Sequence, residues 1–255
     1  MRVLVIDVGG SNVKVALGAR RNPVKIPSGP EMSAAQMATQ VKRAVAGSKY
    51  DAVSIGYPGP VVNGRPTEEP KNLGRGWVRF DYRKAFGKPV QIVNDAAMQA
   101  LGSYQGGRML FLGLGTGLGS ALVADGVLEP LELAHLPYRN NRTYEDYVGL
   151  RGYKRMGRKK WQRHVRKVIA LLKHGLQVDS VVLGGGQTKK LKGRPAGARL
   201  GDNSNAILGG IRLWSEPAHK PHRLPHLART RRRKGRPAVA QSAADAGEPP
   251  SSPTS

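Results

Sequence analysis

The chain has 255 residues, 42 Lys and Arg against 17 Asp and Glu for a net charge of +25, 33 Gly, 18 Pro and no Cys. That length suits one large domain or two lobes with a sizeable core, and the absence of cysteine excludes disulfides, thiolate metal sites and a cysteine nucleophile. No apolar run reaches the roughly 18 residues of a membrane helix, and Asp7 interrupts the opening Val3-Leu4-Val5-Ile6 before it can serve as a secretory core, so a soluble, cytoplasmic protein is expected.

Strand-like runs rich in Val, Ile and Leu stand at 2–8 and 12–17, joined by the short turn Gly9-Gly10-Ser11. That connection predicts a hairpin. Asp7 ends the first strand, where a carboxylate followed by two glycines serves either a tight turn or an anion site with magnesium beside it. A helix is predicted over 33–46, with Ser33 and Gln36 at capping-box spacing, Met37, Val41, Ala44 and Val45 on one face, and Gly47 as the stop. Strands follow at 51–57 and 89–93. Asn94-Asp95 then opens a helix over 95–105, where Asp95 suits an N-cap or a base that takes a proton from a substrate hydroxyl; local sequence leaves both open.

Two more strands, 108–114 and 119–124, flank a second glycine turn, Gly115-Thr116-Gly117. It lacks the Gly-Lys-Ser/Thr of a Walker loop, and a strand rather than a helix follows it, unlike a dinucleotide fingerprint. Glu132 and His135 lie three apart with Glu145 soon after, a spacing open to exposed polar residues, a metal pair or sugar recognition. The predicted helix 158–174 places Trp161, Val165, Val168, Ile169 and Leu172 on one side. Nine of the seventeen residues in 151–167 are basic. Such a run is either a solvated face or a contact for a polyanion such as nucleic acid, an anionic membrane surface or a phosphate-rich substrate. A strand at 179–183 ends in Gly184-Gly185-Gly186.

Short hairpin connections early and strand–helix alternation later predict an α/β fold with mixed sheets. From Ser215 the chain turns Pro-rich and basic and is expected to stay disordered. This tail, 215–255, holds 8 Lys and Arg and 3 Asp and Glu, leaving 34 against 14 before it, so most of the excess charge belongs to the folded part.

In this order the motifs resemble those of the ROK family of sugar kinases, and within it the polyphosphate-glucokinase branch. The likeness covers about residues 1–214 and rests on Asp7-Val8-Gly9-Gly10-Ser11 with Lys14, Gly56-Tyr57-Pro58-Gly59-Pro60, Asn94-Asp95-Ala96, Gly113 to Leu122, Asp125-Gly126-Val127-Leu128, Glu132-Leu133-Ala134-His135-Leu136, Tyr144-Glu145-Asp146-Tyr147 and Gly184-Gly185-Gly186. The resemblance implies an actin/hexokinase-like (ribonuclease H-like) two-lobed fold, with lobes at 1–105 and 106–214. It implies transfer of a phosphoryl group from ATP or polyphosphate to the 6-hydroxyl of glucose, or of another hexose or N-acetylhexosamine.

Position by position, Asp95 matches the catalytic base, and Asn94, Glu132, His135 and Glu145 match the sugar-binding residues. Asp7, Gly9, Gly10 and Ser11 match the first phosphate loop, with Lys14 counted as a phosphate ligand. Gly115, Thr116 and Gly117 match the second loop, and Gly184, Gly185 and Gly186 the nucleotide-side glycines. Asp7 would hold Mg2+, directly or through water, and no zinc is expected.

Arg155, Lys159, Lys160, Arg163, Arg166 and Lys167 are the expected polyphosphate track. A homodimer is the implied assembly, and no membrane partner is expected. A regulator or nucleic-acid-binding protein is the competing class, although the first strand begins too early for a preceding helix-turn-helix. Ala134 departs from the usual Gly of the Glu-x-Gly-His motif, and 190–205 is a short donor-side wall.

Overall fold

The computed structural model describes residues 1–19, 22–202 and 204–215, so all but the first residue of the expected tail lies outside the described residues. In chain order the strands and helices are β1 (Val3–Val8), β2 (Asn12–Leu17), β3 (Val24–Pro27), α1 (Ala34–Ala44), β4 (Ala52–Tyr57), β5 (Val61–Val62), β6 (Arg65–Pro66), α2 (Tyr82–Phe86), β7 (Val90–Asn94) and α3 (Asp95–Ser103). There follow β8 (Arg108–Leu114), β9 (Leu118–Ala124), β10 (Val127–Leu131), β11 (Pro137–Arg139), β12 (Arg142–Thr143), α4 (Tyr144–Val148), α5 (Leu150–Gly175), β13 (Ser180–Gly184), a 3-10 turn (Gly186–Lys190), β14 (Ala198–Leu200) and α6 (Asn205–Arg212).

Two five-stranded sheets organise the chain, in the orders β3-β2-β1-β4-β7 and β10-β9-β8-β13-β14. Each is an antiparallel meander extended by two parallel strands. The expected mixed α/β architecture is what folds. The two sheets share one connectivity, a repeat that the sequence does not display.

Alternation along the strands sets the layers. Leu4, Ile6 and Val8 of β1 pack with α1 and α2, whereas Val3 and Val5 pack with Met98 of α3 and Ala206 and Ile207 of α6. In β8, Leu110, Leu112 and Leu114 face α5, whereas Met109 and Phe111 meet Ala97, Ala100 and Leu101 of α3. The pair α3–α6 therefore lies between the two sheets. Close packing there depends on glycine: a Cβ on Gly102 would run into the carbonyl of Asn205, and one on Gly209 into that of Met98. Ser54, fully buried in β4, ties the layer further, donating to the Gly210 carbonyl at 2.6 Å and accepting from Trp214 Nε1 at 2.8 Å.

The capping box forms as expected, with Gln36 N donating to Ser33 Oγ at 3.3 Å and Ser33 N to Gln36 Oε1 at 2.8 Å. Met37 and Val41 are buried, but Ala44 is exposed because α1 ends there. The predicted 158–174 helix is the longer part of α5, which starts at Leu150 and kinks at Gly157 (φ 71°, ψ 165°). Trp161, Val165, Val168, Ile169 and Leu172 are all buried, each contributing roughly 2 kcal/mol. No helix among the described residues is long and apolar enough to cross a membrane.

Candidate functional site

At the junction of β7 and α3 Asp95 does not cap the helix, one of the two roles its position left open. Asn94 is the cap: its Oδ1 accepts from Ala96 N at 2.9 Å and Ala97 N at 3.4 Å, and its Nδ2 donates to the Gly59 carbonyl at 3.1 Å. The Gly56–Pro60 segment thus holds the cap in place. Asp95 is left as the first helical residue, its Oδ1 accepting from Ala96 N at 2.7 Å, with partial solvent access. Burial, and next the Asp7 carboxylate, push its pKa up to about 7, against the weaker pull of the Ala96 amide and the Lys14 ammonium. A carboxylate poised there exchanges a proton readily near neutrality.

Asp7 lies at the far end of β1 on the face shared by Val3 and Val5, the face turned toward α3. It is 5% exposed, and Lys14 Nζ, directly across the ladder in β2, donates to its Oδ2 at 2.9 Å. The turn between them closes through Gly9 N to the Asn12 carbonyl at 3.1 Å, while Ser28 Oγ donates to the Gly9 carbonyl at 2.6 Å and Ser28 N to the Ser11 carbonyl at 3.1 Å. Gly10 and Ser11 are left exposed on a braced turn.

Its counterpart in the second sheet is the β8–β9 turn, closed by Gly115 N to the Gly117 carbonyl at 3.1 Å with Thr116 exposed. Glu145 comes against this turn, Oε2 accepting from Leu118 N at 3.3 Å and Oε1 from Arg151 Nη2 at 3.5 Å. A side chain on Gly117 would collide with that carboxylate. Gly185, at φ 85°, follows β13 and presses on Leu114, so the third glycine motif closes over the second. Ala96 meets Gly119 just beyond the turn, a Cβ on Gly119 lying 2.8 Å from the Ala96 Cβ, and this brings the start of α3 to the second loop.

Glu132 and His135 pair at 3.4 Å with side chains 64% and 63% exposed. The intervening Ala134 is buried, and its carbonyl accepts from Glu145 N at 3.0 Å. Glu132, His135 and Glu145 are therefore brought to one place, beside the second loop. No hydrogen bond joins them to Asn94 or Asp95 among the described residues. Of the basic run, Arg155 is engaged: its Nη2 donates to the Asp146 carbonyl at 2.7 Å, and its guanidinium lies 5.2 Å from the centre of the Tyr147 ring.

Two features escaped the sequence reading. The Gly59 carbonyl anchors Asn94, a tertiary contact with no local signal. A second basic segment, Lys189 to Arg194, follows the third glycine motif, and its run of lysines was the available sign.

No group of three or more His, Asp or Glu side chains among the described residues is gathered to hold a metal. Asp7 would offer a magnesium ion a protein carboxylate, with water and donor phosphates filling other positions, an arrangement that ion tolerates.

No family model matches the chain. It is 26% identical over 206 residues to the polyphosphate glucokinase of Mycobacterium tuberculosis, covering 72% of this chain and 77% of that one. In fold it is similar to the inorganic polyphosphate/ATP-glucomannokinase of Arthrobacter sp. strain KM, with a TM-score of 0.65, 20% identity and coverage of 82% and 96%. The ROK-family glucokinase of Streptomyces griseus, solved with glucose and AMPPNP, gives 0.67 at 18% identity, covering 84% and 99%. A ROK-family transcriptional regulator described as a homologue of the E. coli MLC protein gives 0.64 at 15%, covering 83% and 77%, so the fold alone does not separate kinase from regulator.

Proposed function

From a chain with ROK-type architecture and sugar-kinase homologues, we propose a glucose kinase that moves the terminal phosphoryl group of polyphosphate or ATP to the sugar 6-hydroxyl. The observation that carries this reading is Asp95, freed from capping by Asn94 and raised to about 7 beside Asp7 and Lys14. A structural cap needs no such tuning; a base for an alcohol does.

In the step proposed, the sugar O6 attacks the terminal phosphorus and its proton passes to Asp95. The bond from that phosphorus to the bridging oxygen breaks, leaving ADP or a polyphosphate shorter by one unit. Lys14 and the exposed turns at Gly10-Ser11 and Gly115-Thr116-Gly117 would hold phosphate oxygens in line, so positioning and charge neutralisation supply most of the catalysis. Magnesium, held through Asp7, would add neutralisation of the phosphate charge. Glu132, His135 and Glu145 would orient the sugar hydroxyls. Ala134 directs its methyl into the core, so this departure from the family pattern does not fill the sugar site.

The test is glucose 6-phosphate formation by the purified chain with magnesium, comparing ATP with long-chain polyphosphate across a salt series. Turnover with either donor supports the kinase reading, and polyphosphate turnover that falls steeply with salt supports the donor assignment. No product from glucose with either donor overturns it.

A further inference from the structure

Residues 147–201 carry 15 Lys and Arg and a single acidic side chain, Asp179. Three ion pairs form among the described residues, and one of them, Arg151 with Glu145, uses a cation from this stretch. Cations at this density repel one another unless an anion joins them.

The charge has a direction. After the Gly157 kink, Lys159, Gln162, Arg166 and Lys173 recur at intervals of three, four and seven residues, one ridge of α5. Along this ridge runs the segment from Gly186 to Gly197. Gln162, 7% exposed, clasps it by donating from Nε2 to the Lys192 carbonyl at 2.8 Å and accepting from Lys192 N at 3.0 Å. Farther along, the Lys173 ammonium comes to 4.0 Å from where a Gly197 Cβ would stand. Within the segment Lys189, Lys192 and Arg194 are exposed, and Arg194 reaches the end marked by Lys173.

Four residues join α5 to β13, so helix and strand run antiparallel, with Lys159 at the Gly184–Gly186 end and Lys173 at the other. From Lys159 to Lys173 is about 21 Å. At the far end lies an open cavity of about 490 Å3 lined by Lys173, Arg194, Arg199 and Asp179. Two of these are occupied: Asp179 accepts from Arg108 N at 2.7 Å, and Arg199 donates to the Ser103 carbonyl. Lys173 and Arg194 face the cavity without an ion pair among the described residues.

We propose that the groove these cations define, along the seam of α5 with the 186–197 segment and ending in this cavity, carries a linear polyphosphate chain away from the glycine turns, with Lys173 and Arg194 holding its distal phosphates. The proposal rests on the polyphosphate-donor reading above and names the surface that serves it. It also narrows the expected track, because Lys160 and Lys167 fall on the other flank of α5 with His164, and Arg155 is already engaged. Inorganic polyphosphate fits better than single-stranded RNA, which needs aromatic faces for its bases. The ring touching this segment, Tyr153, is capped by Lys190 Nζ at 3.9 Å from its centre.

The test uses the full chain and the pair Lys173→Ala/Arg194→Ala, with Lys159→Ala/Arg166→Ala as a second pair and Lys42→Ala/Arg43→Ala as an equal charge loss elsewhere. Folding is checked by thermal unfolding. Kinetics are read with ATP, tripolyphosphate and long-chain polyphosphate, and polyphosphate binding is read separately by calorimetry without sugar. The expected result is a KM for long-chain polyphosphate raised roughly tenfold in both groove pairs, with tripolyphosphate and ATP moving less than about twofold in the distal pair. The α1 pair should match the parent.

If polyphosphate is no donor at all but binds, and the groove pairs weaken that binding, the donor reading fails and the groove stands. Equal effects on all donors in the distal pair, unchanged long-chain binding, or tighter groove-dependent binding of single-stranded RNA than of polyphosphate would overturn the proposal.

Discussion

Asp7 and Lys14 stand opposite one another in the β1–β2 ladder, and their side chains meet at 2.9 Å on the face turned toward α3. The pair acts on Asp95 with opposite signs, Asp7 raising its pKa and Lys14 lowering it. Activity through a base of pKa about 7 rises with pH through that value. Lys14→Met should move the acid limb of kcat/KM upward, and Asp7→Asn should move it downward. A pH profile unmoved in both variants would contradict the arrangement.

The same shift bears on stability. Because the folded pKa of Asp95 lies above the ordinary 3.8, its contribution is full at acid pH and is lost as pH rises through about 7. Asp95→Asn should therefore be the more stable protein above neutrality, by on the order of 4 kcal/mol. A Tm gap of several degrees that closes toward pH 4 is the expected result, read by unfolding at a series of pH values.

Glu145 links the second glycine turn to the Glu132–His135 turn, through Leu118 N at 3.3 Å and its own amide to the Ala134 carbonyl at 3.0 Å. Glu145→Ala should raise KM for both glucose and donor, each by about tenfold, as one charged hydrogen bond is lost. Steady-state kinetics with each substrate varied would check this. A change confined to one substrate would separate the two loops.

The α3–α6 crossing supports Asp95 from behind. Gly209→Ala puts a methyl into the Met98 carbonyl of the helix that begins with Asp95, and should cost about 2 kcal/mol. Thermal unfolding should show a Tm lower by roughly 4–8 °C. An unchanged Tm would mean that the helices can part at no cost.

Seven strands were legible because their Val, Ile and Leu runs are dense: β1, β2, β4, β7, β8, β9 and β13 stand within a residue or so of their predicted bounds. The short β3, β11, β12 and β14 lack such runs. α6 was missed because Gly209 and Gly210 weaken any helical signal, and the reason for them, contact with α3 and with Val5, is tertiary. At the site, the glycine turns and Asp95 were visible as motifs. The cap was left open at Asp95 because Asn and Asp both favour that position; Asn94 takes it, held by the carbonyl of Gly59, 35 residues away and invisible to local sequence.

Whether Asp95 is the base of a sugar kinase is decided by one comparison. Glucose 6-phosphate formation by Asp95→Asn is measured against the parent chain with its effective donor, with glucose binding followed by calorimetry on the same samples. The rate should fall by about 10^2 to 10^4 while glucose affinity stays within a few-fold. An Asp95→Asn protein that turns over within about tenfold of the parent would mean that Asp95 is not the base.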